Sequence, residues 1–431
     1  MEPWIKAEGY PYIYVETDEK NEEIKLTQKR FLSTGSNDSS EEATKWWIPL
    51  NLEFSDNNGA KIENETISTL PTSFDSESIN IPIKLNEIDN CSIFQVNKDF
   101  KGFYTTIYEP KLIASISKNL KFLSPEDKIN LITGTASGTT LGLIPIKSLL
   151  ELISELKDEK NYAVWLTIVS TLNKLKGVFS EQPEEFKSGL KSYIQSIYEP
   201  IMTELLSELN DKDSENLDFV KTKLISLLYE SSGASSLDII VKDSESKLSK
   251  PETIPPFLKE PVYKTILSNT NTCTRESFDL ILKDVTNPTS LDSHEVGLSA
   301  LGCISDSSFF PQLTSLFFSK SMAEMDAKFL VESLSRNSTC KKMFWEFIRN
   351  SFGKFRKDYS NWTFDRLLRI FLPGLQSEEY LAEVTKFFEE NDTSGFDKGV
   401  KQSIDSISSS VSYINKNQSG FESWLKENRF M

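Results

Sequence analysis

The sequence predicts a multidomain, β-then-α molecule: a small β-sandwich followed by an all-α superhelical array of the HEAT/armadillo kind. Two observations carry this. Through roughly the first hundred residues apolar side chains alternate with period two, and from Glu109 onward they recur every three to four residues. The boundary follows the change of period, with a β-sandwich over residues 1–108 and a helical domain over 109–431.

Taken in order, "YIYVE" and "IKLTQ" flank the acidic stretch Asp18 to Glu23, which suits a hairpin. "WWIPLNLEF" puts Ile48, Leu50, Leu52 and Phe54 on one face and runs into Asn58-Gly59, a strong turn signal. "INIPIKL" alternates again at Ile79, Ile81 and Ile83, and "FKGFYTTIY" closes the set with aromatic and β-branched residues. In the second part Leu112, Ile116 and Leu120 are spaced by one helical turn. Ser124-Pro125-Glu126-Asp127 has the order of a helix start: an N-cap hydroxyl, proline at the first position, acids in the first turn. Val400, Ile404, Ile407, Val411 and Ile414 form one apolar stripe. The segment "SSGASSLDIIVKDSESKLSKPETIPP" reads as a loop or poorly ordered connection. No repeat of fixed length is present, so any repeats are degenerate.

Charge narrows the function. With 48 basic and 64 acidic side chains the net charge is −16, which disfavours nucleic acid and anionic lipid as partners. No run reaches the length of a membrane-spanning helix, and the first residues lack the pattern of a signal peptide. Cys91, Cys273, Cys303 and Cys340 are far apart with no C-x-x-C spacing, as expected for reduced thiols in a cytoplasmic protein.

Catalytic motifs are missing. The chain has one histidine, His294, so an H-E-x-x-H zinc site cannot be assembled from it. His294 reads as a partly exposed residue at a helix start. "GTASGTTLG" lacks the G-K-S/T ending of a phosphate loop and reads as a helix end plus a connection. The aromatic stretches containing Phe344, Phe347 and Phe387 have core spacing. By residues alone this reads as a soluble scaffold, not a self-sufficient enzyme, without catalytic, cofactor or metal residues of its own.

Several collinear motifs resemble one family. Trp4 with Gly9-Tyr10-Pro11, "LTQKRFL", "WWIPLNL", "VNKDFKGFYTTIY", "LSPEDKINLI" and "NYAVW" occur in this order, followed by Asp326, "FWEFIRNSFGKFRKDY", "FDRLLRIF", "AEVTKFFEEN", "VKQSIDSI" and "WLKEN". Together they resemble the C-terminal half of zinc aminopeptidases of the puromycin-sensitive and endoplasmic-reticulum type. The resemblance implies a β-sandwich joined to a helical bowl that encloses peptides, with the zinc in a catalytic half whose motifs this sequence lacks. It also implies that Trp4 to Pro11 is a domain junction, and that Arg366, with Arg369 beside it, suits an anionic peptide C-terminus if it faces the cavity; an intramolecular salt bridge in this acidic chain is the alternative reading of these arginines. Thr105, where the family usually has arginine, and Gly134-Thr135, where acids are common, depart from the family pattern and imply a relaxed or specialised member. Two functions stay open: the substrate-enclosing part of an aminopeptidase, with a catalytic half in cis or trans, or a stand-alone α-solenoid that binds peptides or proteins without enzymatic activity. In either case the purified chain is expected not to hydrolyse aminoacyl-naphthylamides. Chelator-sensitive turnover by the chain alone would overturn that expectation.

Overall fold

The computed structural model describes residues 2–18, 20, 23–32, 44–56, 58–62, 70–82, 91–211 and 217–431. Ile83, Asn57 and most of the turn between Asp18 and Glu23 lie outside them. The elements begin with α1 (Glu2–Lys6), then β1 (Tyr10–Asp18), β2 (Glu23–Phe31), β3 (Ile48–Pro49), β4 (Leu52–Asp56), β5 (Ser73–Phe74), β6 (Ser78–Pro82), β7 (Cys91–Val96) and β8 (Thr105–Tyr108). Helices follow: α2 (Pro110–Ser117), α3 (Pro125–Leu141), α4 (Ile146–Glu155), α5 (Tyr162–Val178), α6 (Glu184–Asp211), α7 (Phe219–Gly233), α8 (Asp238–Leu248), α9 (Pro256–Ser268), α10 (Arg275–Thr286) and α11 (Leu291–Leu301). The last are α12 (Phe310–Leu316), α13 (Ala327–Arg336), α14 (Lys341–Asn350), α15 (Phe352–Asp358), α16 (Asn361–Phe371), α17 (Glu378–Glu390) and α18 (Asp397–Glu427). The β-then-α order read from the two periods is the order of the structure.

The chain divides into two compact units, one of Met1–Thr171 with Asn415–Glu427 and one of Leu172–Ile414 with Asn428–Met431. In the first, a sheet of order β6-β2-β1-β8 has β2 antiparallel to β1 and β8 parallel to it. Two smaller ladders, β3-β5 and β4-β7, complete the β part among the described residues. The alternation seen in sequence is the alternation of burial: Ile24, Leu26 and Gln28 of β2 point inward. Gln28 is a buried polar residue with its amide satisfied. Its Nε2 donates to the Trp46 and Ser76 carbonyls at 3.0 and 2.7 Å, and its Oε1 accepts from the Trp46 N–H at 2.9 Å. The glutamine of "LTQKRFL" is therefore a clamp between β2 and two loops.

After β7 the backbone enters the left-handed region at Asn97, Asp99 and Phe100, with φ of 64, 59 and 52°. Asn and Asp tolerate that region, whereas Phe does so at a cost of about 1–2 kcal/mol. The cost is offset locally. The buried Asn97 side chain accepts from Gly102 N–H at 2.6 Å and donates to the Gly102 and Tyr104 carbonyls. Asp127, in the first turn of α3, accepts from the Asp99 N–H at 2.7 Å and from Lys98 Nζ at 2.6 Å. Burial alone would raise the Asp127 carboxyl, but hydrogen bonds from Lys98, Ser124 and the Asp99 backbone hold it below the usual carboxylate range.

"GTASGTTLG" is not a helix end and connection; it continues α3 to Leu141, and only Gly142 (φ 77°) leaves the helix. The small residues serve packing. A Cβ on Gly134 would lie 1.8 Å from the Thr106 carbonyl oxygen of β8, and one on Gly138 would lie 2.4 Å from Ile144 Cγ1. Further on, Asn161 caps α5 by accepting from the Ala163 and Val164 N–H groups, and the Trp165 indole donates to the Glu159 carbonyl at 2.8 Å.

In the second unit α7, α9, α11, α13 and α16 pack side by side in that order, the neighbour-on-neighbour arrangement of a helical solenoid. "SSGASSLDIIVKDSESKLSKPETIPP" is a correction: it holds the end of α7, all of α8 and a short 3₁₀ turn at Pro251–Thr253. Its Gly and Ser residues permit close packing. A Cβ on Gly233 would meet Thr265 Oγ1 of α9 at 1.9 Å, and the buried Ser231 hydroxyl donates back to the Leu227 carbonyl at 2.8 Å. Phe317, Phe344, Phe355, Phe364 and Phe371 form an aromatic core, with Phe355 stacked on Phe364 at 5.2 Å. Lys341, 3 % exposed, is ion-paired with Glu181 and donates to Ser180 Oγ at 2.8 Å.

Gly134→Ala is expected to lower the unfolding free energy by about 2 kcal/mol, whereas Gly353→Ala, whose Cβ would meet nothing within 4 Å, should be neutral or stabilise by about 0.5 kcal/mol; denaturant melts compare the two. The depressed Asp127 carboxyl binds its proton less readily folded than unfolded, so its contribution is present above about pH 4 and lost as pH falls through the folded value. Asp127→Asn should flatten the loss of stability below pH 4 seen in thermal unfolding of the unmodified chain.

Candidate functional site

The two arginines singled out in the sequence lie on α16. Ser360 caps this helix, its Oγ accepting from the Thr363 N–H at 3.2 Å. Glu324 buttresses the cap by accepting from the Ser360 N–H and Oγ, both at 3.0 Å, and from Thr363 Oγ1. The Ser360 backbone bond, more than its desolvation, keeps the Glu324 carboxyl below its usual range. The apolar face of α16 buries Phe364, Leu367, Leu368 and Phe371, and this leaves Trp362, Arg366 and Arg369 on the opposite, exposed side.

The two guanidinium groups have different surroundings. Arg369 Nε donates to Asp365 Oδ2 at 2.7 Å one turn back, and its Nη1 donates to Gln402 Oε1 of α18. Gly399 of α18 makes room for this pair, since a Cβ there would lie 1.9 Å from Asp365 Oδ1. Arg366 makes no ion pair among the described residues. Its guanidinium carbon sits 5.8 Å from the ring centroid of Trp362, which is 62 % exposed. Arg369 is thus largely neutralised, and Arg366 is a cation on an aromatic platform facing water. The sequence reading passed over Trp362, although its spacing of four from Arg366 on a helix was the signal that joins them.

A second group of cations went unremarked. In the last turn of α5, Lys176 is open to solvent and donates to the Ala234 carbonyl just after α7. Gln195 of α6 donates to the adjacent Ser235 and Ser236 carbonyls at 2.9 and 3.0 Å. Lys191, one turn before Gln195, lies on the same face.

No metal site is formed by the described residues: no three His, Cys, Asp or Glu side chains converge. His294 is a correction. It is 8 % exposed rather than partly exposed, because its ring turns between α10 and the start of α13. Nδ1 donates to the Val285 carbonyl at 3.1 Å, and Nε2 lies 3.7 Å from Asp326 Oδ2. The residues present do not fit a zinc ion. Among the described residues no helix is long and apolar enough to cross a membrane.

Residues 93–409 match the ERAP1-like C-terminal domain family, and the chain belongs to it. It is 24% identical over 435 residues to the alanine/arginine aminopeptidase of Saccharomyces cerevisiae, covering 100% of this chain and 48% of that protein. It is 23% identical over 445 residues to the mitochondrial aminopeptidase 2 of the same organism, covering 100% and 44%. Against aminopeptidase M1-D of Oryza sativa subsp. japonica the identity is 22% over 426 residues, covering 96% and 47%. The chain spans about half the length of these relatives.

Proposed function

We propose that the chain is the non-catalytic, substrate-enclosing region of a zinc aminopeptidase, selecting peptides whose N-terminal residues a catalytic half removes. The observation that carries the reading is the match of residues 93–409 to an aminopeptidase C-terminal family while the whole chain spans only about half of each relative. The zinc belongs to that other half, and no residue here takes part in its chemistry. The contribution of this chain is recognition. Arg366 offers a guanidinium with no carboxylate partner among the described residues, and Trp362 holds it in place while presenting an apolar surface. A peptide's terminal carboxylate would pair with the guanidinium and its last side chain would lie on the indole. Arg369, tied to Asp365, would fix the helix surface. The buried free thiols Cys273 and Cys340 suit the reducing cytoplasm.

Calorimetric titration with a short peptide and its C-terminal amide tests this. The free acid should bind more tightly, and Arg366→Ala should remove the preference, a loss of about tenfold in affinity. Trp362→Ala should weaken both ligands. Equal binding of acid and amide by the unmodified chain would sink the carboxylate reading. Added to a separately produced catalytic half, the chain should change its peptide-length preference, whereas binding with no effect on hydrolysis would favour a stand-alone peptide-binding module.

A further inference from the structure

We infer, on the strength of the aminopeptidase reading above, that an exposed aromatic face at one end of the β6-β2-β1-β8 sheet is the surface on which the catalytic half docks. The face lies where β1 begins, β2 ends and the loop before β8 closes. Tyr10 stands opposite Phe31 in the β1–β2 register, and their rings stack at 5.1 Å. Phe103, two residues before β8, lies 6.3 Å from Tyr10 and 6.2 Å from Trp4. Trp4 in turn meets the buried Trp46 edge-on at 6.4 Å, which roots the group in the core. The outer members stay in water: Phe103 and Ile5 are each 77 % exposed, and α1, which carries Trp4 and Ile5, buries none of its residues. Aromatic surface anchored to a core and left uncovered is the signature of an interaction site.

The loop that carries Phe103 is built to hold it outward. Tyr104 turns inward and is buried, and a Cβ on Gly102 would lie 2.3 Å from its ring, so the glycine is what lets Tyr104 fold back and Phe103 face out. The left-handed residues Asn97, Asp99 and Phe100 set the path of the loop, and Asn97 and Asp127 fasten it. Backbone strain persists where the surrounding structure over-determines it, and a side chain held in place beforehand loses little freedom on binding.

Length and charge select the occupant. The matched family is that of a C-terminal domain, and each relative extends for about as much again beyond the region this chain covers. In the relatives that further sequence precedes the counterpart of Trp4, and the face is made by this chain's first residues together with Phe31 and Phe103. A second copy is the poorer fit, because it would bring another net charge of −16. The charges beside the face do not offset that repulsion: Glu2 is paired with Lys6 at 2.6 Å and Asp99 with Lys101 at 2.7 Å. The partner surface is therefore apolar, with a pocket for the Phe103 ring.

The probe is the alanine/arginine aminopeptidase of Saccharomyces cerevisiae, truncated before the region this chain matches and co-expressed with the tagged chain. The two should co-purify. Phe103→Ser should weaken the complex about thirtyfold, and Phe103→Tyr should retain it. Because Phe103 is exposed, Phe103→Ser should leave the circular dichroism spectrum and the affinity for a free-acid peptide unchanged. Failure of the unmodified chain to co-purify, or a complex indifferent to Phe103→Ser, overturns the docking face. So does self-association of the chain alone, seen by sedimentation velocity and abolished by Phe103→Ser, which gives the face to a second copy. Equal binding of peptide acid and amide beside a Phe103-dependent complex would remove the recognition role proposed above and leave the docking face standing.

Discussion

The first unit depends on how closely α3 approaches β8. Gly134 brings helix and strand to backbone contact, so that its Cα faces the Thr106 carbonyl with no space for a side chain between them. Only a residue without Cβ allows this, and the next small position, Gly138, extends the approach toward Ile144 and Ile107. Once α3 is that close, its first turn reaches the strained loop after β7, where Asp127 gathers the Asp99 N–H and the Lys98 ammonium. A side chain at Gly134 would displace the helix and leave a buried carboxylate and a left-handed loop without their partners.

Several motifs that carry the family resemblance turn out to be polar anchors of the fold. Gln28 clamps the backbone at Trp46 and Ser76, Asn97 satisfies the turn to Tyr104, Asp127 receives that turn, and Asn161 with Trp165 starts α5. Each is a buried or half-buried polar group whose unpaired cost would be about 1–3 kcal/mol. They serve the architecture of the fold, whereas Trp362 and Arg366 stand exposed on α16.

In the second unit the same logic separates structural from available cations. Lys341 is buried and committed to Glu181 and Ser180, linking the start of α14 to the turn between α5 and α6. Arg369 is committed to Asp365 and Gln402. Arg366 and Lys176 are left with an indole and a carbonyl respectively.

What sequence determined by itself was element type and its order: period-two alternation in β2, the Ser124-Pro125 helix start, and the apolar stripe from Val400 to Ile414 are local properties and need only nearest neighbours along the chain. Small-residue segments misled it, since "GTASGTTL" and Ser231-Ser232-Gly233 have loop composition but are packed helix, an effect of partners distant in sequence. His294 misled it likewise, its burial being due to Val285 and Asp326 on other helices. The difference between Arg366 and Arg369, three residues apart on one helix, was also beyond it. Both lie on the exposed side of α16, and only the tertiary structure, by bringing Gly399 and Gln402 against one of them, decided which is occupied. Long-range proximity sets the fate of a charge, and a single chain's local pattern does not contain it.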